Sequence, residues 1–303
     1  MRIKTYILAI GILINIIPAI AQELDEIQLR LDSIENTFHY EHGKIPLSNG
    51  LGMITVPEGF KYLNAEQSDY VLTTLWGNPK SNNSTLGLIF PESSGIFTTD
   101  GYVFNIQYDE IGYVKDTDAD DIDYDDLLKD MQKEMTEENK SRIANGYDRI
   151  EIIGWAAKPF YDRERKILHW AKEVKFGEDQ VNTLNYNVRL LGRKGVLVLN
   201  AISSMEQLPM VQNNIEKVLN IVQFSDGNQY KDFNPDIDNV AAWTIGGLVA
   251  GKILAKVGFF ALILKFWKVI ILAIGGAIAV LRKKFKTKKN EQVPVETKQI
   301  ENT

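Results

Sequence analysis

Residues 257–281 constrain everything that precedes them. This stretch holds 16 Val, Ile, Leu, Phe or Trp side chains in 25 positions, and the basic run Arg282-Lys283-Lys284-Phe285-Lys286-Thr287-Lys288-Lys289 follows it directly. A bilayer core needs ~20 apolar residues, so Val257–Leu281 is expected to be a transmembrane helix. Lys265 and Lys268 oppose it, at roughly +2.5 to +3.5 kcal/mol each at a helix centre against roughly −0.3 to −0.6 for each apolar residue. The sum lies between near zero and modestly favourable. If the last ~20 residues, about Leu262–Leu281, do the spanning, both lysines reach the outer boundary and snorkel. The other reading makes Lys265 and Lys268 a functional charge pair in the membrane.

The start of the chain fits that topology. Arg2 and Lys4, the apolar run Tyr6–Ile17 and the small-residue end Ala19-Ile20-Ala21 have the layout of a secretory signal peptide cleaved after Ala21, with an uncleaved anchor as the alternative. The tail 282–303 carries seven basic residues against three acidic ones, which the positive-inside rule places in the cytoplasm. The expected location is a bacterial cytoplasmic (inner) membrane, crossed once, with the large N-terminal part extracytoplasmic.

Charge divides along the same line. Residues 22–239 hold 37 of the 40 acidic residues and 21 of the 34 basic ones, a net of about −16 against −6 for the whole chain. So acidic a domain repels nucleic acid phosphates and anionic lipid surfaces and suits small cations or a basic partner. The chain has no cysteine, so its stability must come from a core and not from disulfides. The expected organisation is a signal peptide at 1–21, an amphipathic helix and loop at 22–43, an α+β domain at 44–235, a juxtamembrane segment at 236–256, the membrane helix at 257–281 and the basic tail at 282–303.

Periodicity gives the elements. Leu24, Ile27, Leu31, Ile34 and Phe38 make a helical stripe that two heptads are too short to turn into a coiled coil, so docking on the domain is expected over self-association. His39 and His42 follow in a loop without further ligands and read as solvated. Leu51–Val56, Thr85–Phe90, Tyr102–Tyr108, Arg149–Trp155, Ile167–Phe176, Thr183–Leu191, Val196–Ile202 and Val222–Phe224 read as strands. Asn64 and Gln67 open a helix reaching about Leu75. Gly192-Arg193-Lys194-Gly195 turns a hairpin whose two strands should be central. A helix over about Glu206–Ile221, with Pro209 in its first turn, buries Val211, Ile215, Val218 and Leu219. Val240–Lys256 reads as an interfacial lead-in helix, and the Gly247/Gly251 spacing hints at a homo-oligomer through membrane helices.

The densest acidic run is Asp116-Thr117-Asp118-Ala119-Asp120-Asp121-Ile122-Asp123-Tyr124-Asp125-Asp126. Asp116, Asp118 and Asp120 match the first three ligand positions of a Ca²⁺ loop. Asp121 then stands where the loop wants Gly, and Leu127 where it wants the bidentate Glu. The structural alternative uses Asp123 as N-cap, with Asp125 and Asp126 in the first turn of a helix to about Ala144 that buries Leu127, Leu128, Met131 and Met135. Ca²⁺ or Mg²⁺ at Asp116, Asp118 and Asp120 stays open, and no other cofactor is indicated. His169, the one histidine in the body of the domain, lacks a catalytic context: G-x-S-x-G, H-E-x-x-H, a P-loop and G-x-G-x-x-G are all absent.

Several patches together resemble an uncharacterised bacterial family of membrane-anchored proteins, the domain of unknown function numbered 2167. They are Val56-Pro57-Glu58-Gly59-Phe60, Trp76-Gly77-Asn78-Pro79, Gly112 to Ala119, Gly154-Trp155 with Pro159-Phe160-Tyr161-Asp162, Leu168-His169-Trp170-Ala171, Asn185 to Arg193, and Gly227 with Tyr230-Lys231-Asp232-Phe233. The resemblance implies the same layout and no activity or catalytic residues. The fold expected is α+β, a mainly antiparallel sheet flanked by helices, similar to photosystem PsbP and the nuclear-transport factor Mog. Two functions follow: a non-enzymatic module binding the bilayer's neighbours, most simply another envelope protein, or a cation-dependent or hydrolytic enzyme using Asp116–Asp126 with His169 or Arg189. A third reading gives Lys265 and Lys268 a part in a membrane assembly.

Overall fold

The computed structural model describes residues 26–47, 50–78, 84–98 and 101–251. The expected signal peptide, membrane span and basic tail, with Lys265 and Lys268, lie outside them. Among the described residues no helix is long and apolar enough to cross a membrane.

A seven-stranded antiparallel sheet is built from β3 (Phe60–Asn64), β4 (Thr85–Pro91), β5 (Phe104–Asp109), β6 (Ile150–Asp162), β7 (Ile167–Phe176), β8 (Thr183–Leu191) and β9 (Val196–Ser204). The strand order is β3-β4-β5-β9-β8-β7-β6, so the expected β8–β9 hairpin does lie near the middle. A second, three-stranded antiparallel sheet joins β1 (Lys44–Pro46), β2 (Gly52–Thr55) and β10 (Val222–Phe224).

Register assigns the two faces of the large sheet. Ile89, Phe104, Ala201, Tyr186 and Ala171 are cross-strand partners in one row, all buried. This face forms the main core with Ile54 and Val222 of the small sheet and with Val211, Ile215, Val218 and Leu219 of α4 (Leu208–Leu219), the four positions its periodicity picks out. Alternation puts the next row, Leu88, Asn105, Asn200, Asn187 and Trp170, on the opposite face. There Leu63, Val71, Leu88, Phe90 and Ile96 make a smaller core of their own.

The smaller core is covered by α2 (Ala65–Tyr70). Asn64 Oδ1 accepts from Gln67 N at 3.1 Å, which gives the helix its expected start. The Gln67 side chain turns away to the His39 backbone instead of closing a capping box. The helix continues as a π-turn over Val71–Leu75. β4 carries a bulge at Thr85/Gly87, where Gly87 has φ +155° and a Cβ would lie 2.2 Å from the Tyr62 ring. Only glycine lets that ring close over the strand.

Residues 26–35 form α1. Its last turn docks through Glu35, which accepts from Ile96 N and from the Tyr40 hydroxyl. Ile27 and Ile34 of the predicted stripe stay exposed. α3 (Tyr124–Ala144) is capped by Asp123, whose Oδ1 accepts from Asp125 N and Asp126 N at 3.0 Å each. It packs along β6 with Leu127 and Met131 buried, while Leu128 and Met135 are only partly covered. β6 runs to Asp162, seven residues past the expected end at Trp155, and passes Pro159 and three register shifts. It lies at a sheet edge, where proline removes no ladder bond the fold needs.

The lead-in helix expected over Val240–Lys256 lies within the described residues only as far as Gly251, and residues 225–251 are seen together. They dock on the domain and end in α5 (Ile245–Ala250), where Ile245, Leu248 and Val249 are buried. Gly251 is its left-handed C-cap at φ +74°, and Gly247 donates its N–H to Thr244 Oγ1. The G-x-x-x-G spacing is thereby used within this short helix.

Candidate functional site

Two polar constellations stand out, and both draw on the stretches that carry the family resemblance. The first surrounds Asp116. Its carboxylate accepts from Lys166 Nζ and Tyr161 OH, both at 2.8 Å, and from Tyr230 OH at 3.1 Å. Burial alone would raise this carboxyl. The bonds from Lys166 and Tyr161, the Lys166 charge and Tyr230 together hold it below the usual carboxylate range. Tyr113 stacks on Tyr230 and on Phe233, with ring centroids 4.4 and 3.9 Å apart. Lys166 adopts φ +59°, the one positive φ at a non-glycine among the described residues.

The acidic run does not converge. Asp118 accepts from the N–H groups of Ile245 and Gly246 at the start of α5, both at 3.3 Å. Asp120 pairs with Arg163 at 2.6 Å. Arg163 also lies 3.8 Å from Asp116, so Asp116 and Asp120 share that cation while Asp118 turns to α5, and no group of three metal-ligating side chains occurs among the described residues. His42 pairs with Glu92 at 3.0 Å, well apart in sequence from His169. His169 shares a 3.1 Å hydrogen bond with the Tyr186 hydroxyl and stacks on that ring, and burial lowers its pKa.

The second constellation is the polar row on the face of the large sheet opposite the main core. Arg189 Nη1 donates to Asn200 Oδ1 at 2.9 Å, and its guanidinium lies 5.1 Å from the Trp170 ring centre. Burial pulls the Arg189 pKa down to about 10 against the opposing charge of Asp109. Lys172 is lowered too, by burial first and then by the Arg189 charge. Asn187 Nδ2 donates to Asn185 Oδ1. Further along the row, Thr85 Oγ1 accepts from Gly87 N at 3.1 Å and donates to Asn105 Oδ1 at 2.7 Å.

These bonds occupy the oxygens of two amides. A guanidinium can only donate, so the Asn200 oxygen must face Arg189. The Asn105 oxygen is taken up on its inner side by the proton of the Thr85 hydroxyl. Each asparagine is left presenting its NH₂ group, and both line a groove of about 1100 Å³. One wall comes from α2 and its π-turn, with Glu66, Asp69 and Trp76. The other comes from the chain after β4, including Phe97 and Thr98. Trp76 Nε1 donates to Ile96 O at 3.0 Å and so ties the two walls together. Of the residues singled out in the sequence, the structure brings Arg189 to this row and leaves the aspartates and His169 elsewhere. Asn105, Asn200 and Trp76 were not singled out as site residues. The available signal was the polar alternation Asn185, Asn187, Arg189 on a strand whose other face is apolar.

Fold and site together define an antiparallel α+β domain with a groove of mixed apolar and polar lining on the sheet face opposite its main core. A family model described as "Protein of unknown function (DUF2167)" matches residues 39–279, and the chain belongs to this family. No curated protein matches it. Among solved structures, the solution structure of cyanobacterial PsbP (CyanoP) from Synechocystis sp. PCC 6803 is similar at 9% identity, with 60% of this chain and 91% of that chain covered and a TM-score of 0.35. A likeness that weak carries no argument.

Proposed function

We propose that this chain is an anchored binding module, held by residues 257–281 in a bacterial cytoplasmic membrane with its α+β domain on the outer side, and that the groove over β4, β5 and β9 is where it meets an envelope component. The observation that supports this reading is the preset floor of the groove: two amides whose oxygens are already occupied, leaving donors in place before a ligand arrives. Preorganised donors reduce the ordering cost of binding, and the groove is at or above the ~300–1,000 Å³ usual for ligand clefts.

A photo-crosslinking residue at Thr98, on the groove rim, tests it in intact membranes. Thr98 should yield a discrete adduct, while the same probe at exposed Met210 on α4, across the sheet, should yield none. Equal labelling from both positions, or from neither, counts against the groove.

A further inference from the structure

We infer that the groove takes a neutral, polyhydroxylated ligand, a segment of a glycan chain. The inference rests on the groove being the binding site and adds the chemistry of its occupant.

Four observations lead there. The floor donates through Asn105 and Asn200. The wall accepts through Glu66 and Asp69, which are exposed and offer only acceptors when ionised. A ligand bridging both must itself donate and accept, as sugar hydroxyls do and a carboxylate or phosphodiester does not. Next, no Lys, Arg or His lines the groove among the described residues, and the surrounding domain is strongly acidic, so an anion is repelled twice.

Third, Trp76 stands 38% exposed at the wall with its indole N–H already committed to Ile96 O. Its ring is therefore a fixed apolar plate, suited to the C–H face of a pyranose and not to a further hydrogen bond. Fourth, the floor lies on strands that each have a neighbour on both sides. It offers no free backbone edge for an extended peptide to pair with. The volume of about 1100 Å³ suits several linked rings better than one.

The test uses the full-length chain in detergent micelles with the β-1,4-linked N-acetylglucosamine tetramer, read by saturation-transfer NMR and calorimetry. Saturation transfer to the tetramer is expected, with Trp76→Ala and Asn105→Asp each weakening binding at least about tenfold. Asn105→Asp keeps size and the Thr85 bond while replacing a donor with an acceptor, so its loss reads hydrogen-bond polarity even if Trp76→Ala disturbs the wall. No transfer to the tetramer, or binding that both substitutions leave unchanged, overturns the inference. Binding of a pentaalanine peptide in its place, lost with Trp76→Ala, also overturns it in favour of a peptide ligand. The groove itself stands or falls separately, on the crosslinking at Thr98.

Discussion

Arg193 and Asp238, 45 residues apart, meet through a 2.7 Å hydrogen bond between Nε and Oδ2 in which the aspartate side chain is 1% exposed. Asp238 also accepts from Asn234 N at 2.7 Å, and Arg193 also donates to Gly227 O at 3.0 Å. The pair therefore holds the β8–β9 hairpin to the segment that follows β10. Asp238→Ala should speed amide exchange of residues 227–241, measured by hydrogen–deuterium exchange, while the protection of β8 and β9 stays as it was. Unchanged exchange in that segment would mean the pair is incidental.

Acid should unfold the domain in two stages. Burial lowers the His169 pKa, so the unfolded chain takes up that proton first and stability begins to fall as pH drops through about 6.5. The Asp116 carboxyl is held low by Lys166 and the two tyrosines, so its contribution is complete above the ordinary value of about 3.9 and is lost as pH falls from there toward the depressed native one. Melting midpoints recorded from pH 8 to pH 3 should lose the first slope in His169→Gln and part of the second in Asp116→Asn.

Arg189 serves as a brace as well as an orienting donor. Arg189→Ala strips Asn200 of its donor and uncovers the Trp170 ring. A charged hydrogen bond of this kind contributes about 2 kcal/mol, or about 4–8 °C in melting midpoint for a domain of this size. Arg189→Lys should recover part of the loss only, because an ammonium lacks the fork. Full recovery by lysine would show that charge alone matters.

The two faces of β9 should respond very unequally to the same change. Leu197, 0% exposed, sits in the main core, and Leu197→Ala is expected to cost about 2–5 kcal/mol. Ile202 is 63% exposed, and Ile202→Ala should stay within about 0.5 kcal/mol. Urea titration of both variants checks the face assignment directly.

Much of this architecture could be read before any coordinates. The burial of Val211, Ile215, Val218 and Leu219, the cap at Asn64, the cap at Asp123 and the β8–β9 hairpin all follow from local chemistry, since each depends on residues within a few positions of one another. The groove does not. Asn105 and Asn200 become neighbours only because β5 pairs with β9, and no local pattern reports that pairing. The extension of β6 past Pro159 was hidden for a related reason, since proline argues against a strand until the strand is known to be an edge. The partners of the acidic run, Lys166, Arg163 and the start of α5, were equally out of view, since they come from elsewhere in the chain.

Residues 225–251 are fastened at Tyr230 to Asp116, at Asp238 to Arg193, at Val240 to Tyr113 and at Ile245 to Asp118. A chain riveted at so many places works as a bracket and not as a leash. Tension applied beyond residue 251 would reach the hairpin and the acidic loop together, so the domain should withstand a pull as one body until several of these fastenings yield at once.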